Sequence, residues 1–463
     1  MNRVPAALFA VLFATLCSLP AAASVRSEGA KIRWVGELPD PARPGQDVRG
    51  RFEVVAARPG LLENVRIEGS GWTVQPIRTG GSRMVMARGQ RREIEFVARP
   101  SREDEPLVVT AMFDGHEIRE TVRLDAASLA QTRARRPLVF GDGAPRVEGA
   151  RPHGATTTAF HFTGRIAYMR GDVPPVEIGA DHIVVRIKDE DAVIDEVIWQ
   201  GETDLNGYFD VHVDWDDCDI SGCDDPDIYV EVVASNAVVD VQTPDVFEAT
   251  ITWESSVMND FTGNTIAFGT MKPASDQYGA FAAYTDIIRA ARRAALYGMS
   301  PPRVECEWPS DDTAYSRDFQ EIYLEGAESF NEGAVAHEFG HHLHFHYGNL
   351  PVSNYANGYC DDPTPSHCTW CPENDQDGFK EGWANWFAST VLRSYQANYG
   401  VVPFSINDSR MLFESTSSCV DNGVPRGTWP GPSTEGYVSA VLLDIEDAQN
   451  DDHDGGAQDC HMD

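Results

Sequence analysis

"AVAHEFGHHLHFHYG", residues 334–348, places five histidines in ten positions: His337, His341, His342, His344 and His346. The segment reads as an α-helix that stops at Gly348. On such a helix His337 and His341 lie about 40° apart and one turn along. Both can therefore aim a ring nitrogen at one ion about 2.0–2.1 Å away. Glu338 is about 100° round from His337. Its carboxylate sits beside the ion rather than on it, placed to take a proton from a water polarised there. His342 and His346, near 140° and 180°, point away and read as packing or surface residues. His344 returns to about −20° but lies some 10 Å along the axis, too far to share the ion. It reads as a substrate contact or a neighbour of the ligands.

A catalytic zinc needs three protein ligands and an open fourth position. The metzincin pattern HExxHxxGxxH fails here, because His344 and Tyr347 occupy its last glycine and histidine positions. A later helical segment contains "KEGWANW", residues 380–386, with Glu381 forty residues after His341. Glu373, Asp375 and Asp377 are alternatives, in "CPENDQDG", which reads as a loop. The pair "HEFGHH…EGWANW" resembles the gluzincin metallopeptidases, the thermolysin and aminopeptidase type, over roughly residues 260–447, and many secreted bacterial zinc peptidases.

That resemblance implies His337, His341 and Glu381 as Zn2+ ligands and Glu338 as general base. It also picks out Asn385, four residues after Glu381 on the same helix face. The thermolysin type often has an aspartate there, orienting a zinc-bound histidine. Asn385 accepts the same hydrogen bond without carrying charge, so it polarises the ring less. Related enzymes supply an oxyanion donor after the glutamate helix. Here "STEGYVSAVLLDIED", residues 433–447, offers Tyr437, with Tyr355 and Tyr359 as competitors. "DFQEIYL", residues 318–324, reads as an edge strand to which a peptide substrate can add.

Working outward, residues 24–125 show short alternating runs broken by Gly and Pro, such as "VRGRFEVVAARPG" and "REIEFVARP", and read as a β-sandwich of immunoglobulin-like form. Residues 126–157, rich in Ala, Gly, Pro and Arg, read as a linker. Residues 158–250 return to strands. "GRI", the turn "TDLNG" followed by "YFDV", and "PDIYVEV" resemble the transthyretin-like and carboxypeptidase-regulatory sandwiches. Gly207 in that turn is free to take positive φ. Helical spacing begins after residue 251, so residues 251–463 are expected to form an α+β zincin-like metallopeptidase domain. The fold class expected is thus multi-domain: all-β sandwiches followed by an α+β domain.

The chain has 463 residues, 42% of them hydrophobic, enough for several cores. It opens "MNRVPAALFAVLFATLCSLPAAAS", which reads as a secretory signal peptide, residues 1–23, cut near Ala23. No later segment is apolar enough for membrane insertion, so the mature chain is expected to be soluble and exported, secreted or periplasmic. Eight cysteines remain after Cys17, consistent with up to four disulfides in an oxidising compartment, Cys218–Cys223 among them. Residues 158–463 carry 14 Lys and Arg against 54 Asp and Glu, a surface that repels nucleic acid and anionic membranes.

The acidic loops "DWDDCDISGCDDPD" (214–227) and "NDDHDGG" (450–456) are candidate Ca2+ sites. The second lacks the glutamate an EF-hand needs, since His461 stands there. "CTWC", residues 368–371, fits disulfides better than a second zinc site. The expected function is hydrolysis of a protein or peptide substrate. Two alternatives compete with it: an extracellular adhesion or calcium-binding protein with a degenerate protease-like domain, and a zinc hydrolase acting on a non-peptide bond.

Overall fold

The computed structural model describes residues 29–35, 42–78, 83–101, 106–124, 136–140, 145–148, 158–171, 175–190, 195–215, 225–245, 247–316, 319–348, 375–403, 420–421, 424–425 and 434–446. The chain divides into two compact units, Met1–Leu129 and Ala130–Asp463. No helix among the described residues is long and apolar enough to cross a membrane.

In the first unit the alternating runs become two four-stranded antiparallel sheets. Strand Leu107–Phe113 shows why: its side chains alternate between buried and half-buried over the whole strand. Phe52 and Phe96 stack at 5.2 Å, with Trp34 edge-on to Phe52, and all three are buried.

The second unit is where the expected fold class fails. Among the described residues the chain is mostly strand, with 24 strands against four α-helices and several small sheets. No boundary separates a sandwich ending at 250 from an α+β zincin-like domain starting at 251. Strand Thr265–Pro273 pairs in parallel with Thr158–Arg170, and Thr252–Glu254 pairs with Ile228–Val233. The expected linker contributes Arg136–Phe140 and Arg146–Glu148, both paired to Thr265–Pro273. All belong to one ten-stranded sheet. The onset of helical spacing marks a change of local structure, not a change of domain, and the pairings that join the segments are non-local.

Gly207 sits at φ +83°, where Asp204 caps the turn by accepting from the Asn206 and Tyr208 amides. A Cβ there would come within 2.1 Å of the Ile166 carbonyl oxygen, so the turn and the sheet both need glycine.

Four helices follow or flank this sheet: α1 (Tyr278–Leu296), α2 (Glu332–Tyr347), α3 (Asp375–Tyr399) and α4 (Glu435–Glu446). Helix α1 presents a buried apolar face, on which Phe281 meets Trp253 of the sheet at 4.1 Å. A second sheet runs Val239–Gln242, Val304–Ser310, Glu321–Glu325, Ala314–Ser316. The strand expected at the edge, Glu321–Glu325, is therefore interior, paired on both sides. Ala314–Ser316 is the edge, because it folds back antiparallel on its neighbour.

Among the described residues Cys306 is a buried free thiol, in strand Val304–Ser310. The other seven cysteines after Cys17 lie outside the described residues. So do residues 450–456, most of the 214–227 loop, and Tyr355, Tyr359 and Glu373.

Trp253 is fully buried and ties the sheet to α1. Trp253→Ala should lower the unfolding free energy by about 3–5 kcal/mol. Denaturant unfolding followed by far-UV circular dichroism measures this. A change below about 1 kcal/mol would contradict that role.

Candidate metal centre

Helix α2 starts at Glu332, two residues before the quoted histidine-rich stretch. The Asn331 side chain accepts from the Ala334 amide at 3.2 Å, capping the first turn. Glu332 in that turn pairs with Arg170 at 2.5 Å, and both are buried. The ion pair fixes the helix start to strand Thr158–Arg170. From there the turn-by-turn spacing brings His337 and His341 to one face.

That face meets α3. Gly340, between the two histidines, would put a Cβ 3.1 Å from the Ala384 Cα, so its bare backbone lets the helices close up. His337 Nε2 and His341 Nε2 lie 3.0 Å apart. Glu381 Oε2 lies 3.2 Å from the first and 2.9 Å from the second. Among the described residues three groups of metal-capable side chains converge in this way: this one, His161 with Asp210 and His212, and Glu248 with Glu305 and Glu321. Only His337, His341 and Glu381 are all buried.

The donor set fits zinc. Ligands at about 2.0–2.1 Å from a tetrahedral ion stand about 3.3 Å from one another. The three atoms here form a triangle of nearly that size, with two imidazoles and one carboxylate, the usual types. Burial, opposed by Glu381, pushes the His341 imidazole down to about 3, so the ring stays neutral with a lone pair to give.

The tautomer of His337 follows from its neighbours. Asn385, one turn beyond Glu381 on α3, places Oδ1 2.8 Å from His337 Nδ1 and Nδ2 3.0 Å from Glu435 Oε2 on α4. A carboxylate only accepts, so the Asn385 amide nitrogen must face Glu435 and its oxygen must face the ring. That oxygen also only accepts. His337 Nδ1 therefore carries the hydrogen, and the Nε2 lone pair faces Glu381 and His341. Asn385 and Glu435 are 4% and 1% exposed, so this orientation is held in a low-dielectric setting.

Gly382 does for α4 what Gly340 does for α3. A Cβ there would stand 2.6 Å from Val438 Cβ and 2.7 Å from the Glu435 carbonyl oxygen. Ser439 donates to the Gly382 carbonyl at 2.8 Å and locks the approach. The glycines of "HEFGH" and "KEGWANW" are thus packing residues, placed one each at the two helix contacts.

Glu338 is 8% exposed, next in sequence to His337. His342 is fully buried away from the three donors, between Tyr315 and the Pro302 carbonyl. His344 lies against Phe379 and Trp383 of α3, and its Nε2 has no hydrogen-bond partner among the described residues. Asp375 and Asp377 occupy the first turn of α3 rather than a loop. Tyr437 is half-buried in the first turn of α4, two residues after Glu435, whose side chain meets Asn385. Sequence reading missed Glu435. It stood in the quoted segment "STEGYV", but no periodicity links it to Asn385 fifty positions earlier.

Residues 302–462 match the mycolysin C-terminal domain. The match covers α2, α3 and α4, and makes the chain similar to a protease-related family over that segment. It gives a second ground for setting aside the α+β zincin-like expectation, since what matches at the C-terminal end is this domain. An uncharacterized protein of Archaeoglobus fulgidus is 26% identical over 148 residues, 31% of this chain and 36% of that protein. The chain thus spans about a third of the length of that relative. Solved structures overlap only in part. A 9R-lipoxygenase from Cyanothece covers 34% of this chain and 27% of its own at 17% identity and a TM-score of 0.18. The secreted serine protease VesC from Vibrio cholerae covers 37% and 41% at 11% identity and a TM-score of 0.17. Overlaps this slight carry no argument about fold or chemistry.

Asn385→Leu should weaken metal binding by about 10–100-fold, read by competition with a chromogenic chelator, while Asn385→Asp keeps it. Unchanged affinity in Asn385→Leu would remove Asn385 and Glu435 from the site. Gly382→Val should destabilise the chain by about 1–3 kcal/mol and lower metal affinity together, through the displaced α4.

Proposed function

We propose that the chain is a secreted zinc-dependent metallopeptidase of gluzincin type, hydrolysing peptide bonds in protein or peptide substrates. The observation that carries this is the buried convergence of His337, His341 and Glu381 beside Glu338. The mycolysin C-terminal match over the same segment supports it. The opening apolar segment with its small residues near Ala23 supports export.

His337, His341 and Glu381 would hold the ion. Zinc there supplies a Lewis acid, which lowers the pKa of a water towards 7 and draws charge from the scissile carbonyl oxygen. Asn385 and Glu435 keep His337 in the tautomer that offers Nε2. Glu338 takes the proton from the attacking water as its oxygen bonds to the carbonyl carbon. It then hands that proton to the leaving nitrogen as the C–N bond breaks. Burial of the donors keeps competing water away and strengthens each electrostatic contact.

Purified protein should contain one zinc per chain by elemental analysis and digest casein in a chelator-sensitive way. Glu338→Gln should keep the metal and lose activity by at least about 10²-fold. Metal without chelator-sensitive proteolysis would sink the peptidase reading and point to a non-peptide bond. No metal at all would favour the degenerate, adhesive alternative.

A further inference from the structure

A cavity of about 530 Å³ opens at the far end of α3. Its walls include Arg165, Arg170, Arg289 and Tyr399, with Leu205 and Val401 among its apolar residues. Tyr399 is 18 residues beyond Glu381 on the same helix, about 27 Å along its axis. The cavity is therefore separate from the metal centre, and its volume suits a small molecule.

Two of the three guanidiniums are engaged. Arg165 donates to the Asn206 carbonyl and pairs with Glu177, which also pairs with Lys272. Arg170 donates to Glu332 and to the Val402 carbonyl. Arg289 differs. It is 3% exposed, yet its Nε has no hydrogen-bond partner among the described residues. Its nearest carboxylate oxygens are 3.7 Å away, on Asp181, and 3.9 Å away, on Asp286. Asp181 is already gripped by both terminal nitrogens of Arg292, and Asp286 accepts from the Tyr395 hydroxyl. Burial and then the charge of Glu332 push the Asp286 carboxyl up, which weakens it as a counterion.

Arg289 is held instead by the ring faces of Tyr395 and Tyr399, at 5.0 and 4.4 Å. Ring faces position a guanidinium without satisfying its in-plane donors. A buried, always-charged group left so is costly unless an acceptor completes it. Of the three lining guanidiniums, Arg165 and Arg170 each pair with a carboxylate, Glu177 and Glu332, and Arg289 has no carboxylate within hydrogen-bond reach among the described residues. This stands out in a segment where acidic residues outnumber basic ones several-fold.

We propose that this cavity binds the carboxylate of a small organic acid with an apolar body, the anion seated on Arg289 and the body against Leu205 and Val401. A single negative charge supplies the acceptor that Arg289 lacks, and a carboxylate matches the planar fork of donors. The carboxylate can come from a free acid or from the C-terminal end of a peptide.

Calorimetric titration of the full chain tests this with N-acetyl-leucine, N-acetyl-leucinamide, a tripeptide ending in leucine, and inorganic phosphate. Saturable binding of the acid, with the amide at least about tenfold weaker, is expected. Arg289→Met keeps the stacked aliphatic stem and should cost at least about tenfold in affinity. A carboxylate captured at the metal centre would ignore that substitution. If Arg289→Met does not fold, Leu205→Asp, at an exposed rim position, should weaken binding to a similar degree. Tighter binding of the tripeptide than of the free acid assigns the source to chain ends, and the reverse assigns it to free acids. Equal binding of acid and amide, tighter binding of phosphate, or no effect of either substitution would overturn the proposal.

Discussion

Two glycines set the distances on which the rest of the centre depends. Gly340 brings α2 against α3, and Gly382 brings α3 against α4. With the helices so close, His337, His341 and Glu381 meet across the first contact, and Asn385 reaches Glu435 across the second. A methyl group at either glycine would push the backbones apart by a few tenths of an ångström or more, and each hydrogen bond spanning the contact would lengthen with it. The chemistry of the site is thus built on two places where a side chain is missing.

The sheet holds the other ends of these helices through buried charge. Arg170 and Glu332 join the sheet to the start of α2. Tyr395 and Asp286 join α3 to α1, and Arg292 of α1 clasps Asp181. A buried ion pair such as Arg170–Glu332 adds little to stability, because both ions lose water to form it. What such a pair does is penalise alternative registers. A helix shifted by one residue would leave a charge buried without its partner, at several kcal/mol, so the helices dock in one way.

Much of the centre is legible in the sequence, because it lies at helical spacing. His337 with His341 and Glu381 with Asn385 are both four residues apart, and one helix turn puts each pair on one face. The histidine sorting rests on the same rule. What escapes that rule is contact between segments. Glu435 meets Asn385 from a different helix. The ten-stranded sheet draws together residues 136–140, 158–170 and 252–273, and nothing local in those runs announces the pairing. Reading a domain boundary at 251 follows from treating a change of period as a change of unit. The interior place of Glu321–Glu325 is hidden for a like reason, since Ala314–Ser316 is too short to read as a strand and yet covers its edge.

The link from His337 through Asn385 to Glu435 makes α4 an effector of the centre, although it supplies no ligand. Docking of α4 fixes the amide, the amide fixes the proton on the ring, and the ring then presents its lone pair. Thermodynamic linkage runs both ways along that chain. An ion that favours the docked arrangement must hold α4 down by the same factor by which docked α4 tightens the ion. In the proposed metal-bound protein, metal occupancy and the docking of α4 would then be a single equilibrium, and anything that displaces residues 435–446 would act as a remote control on affinity.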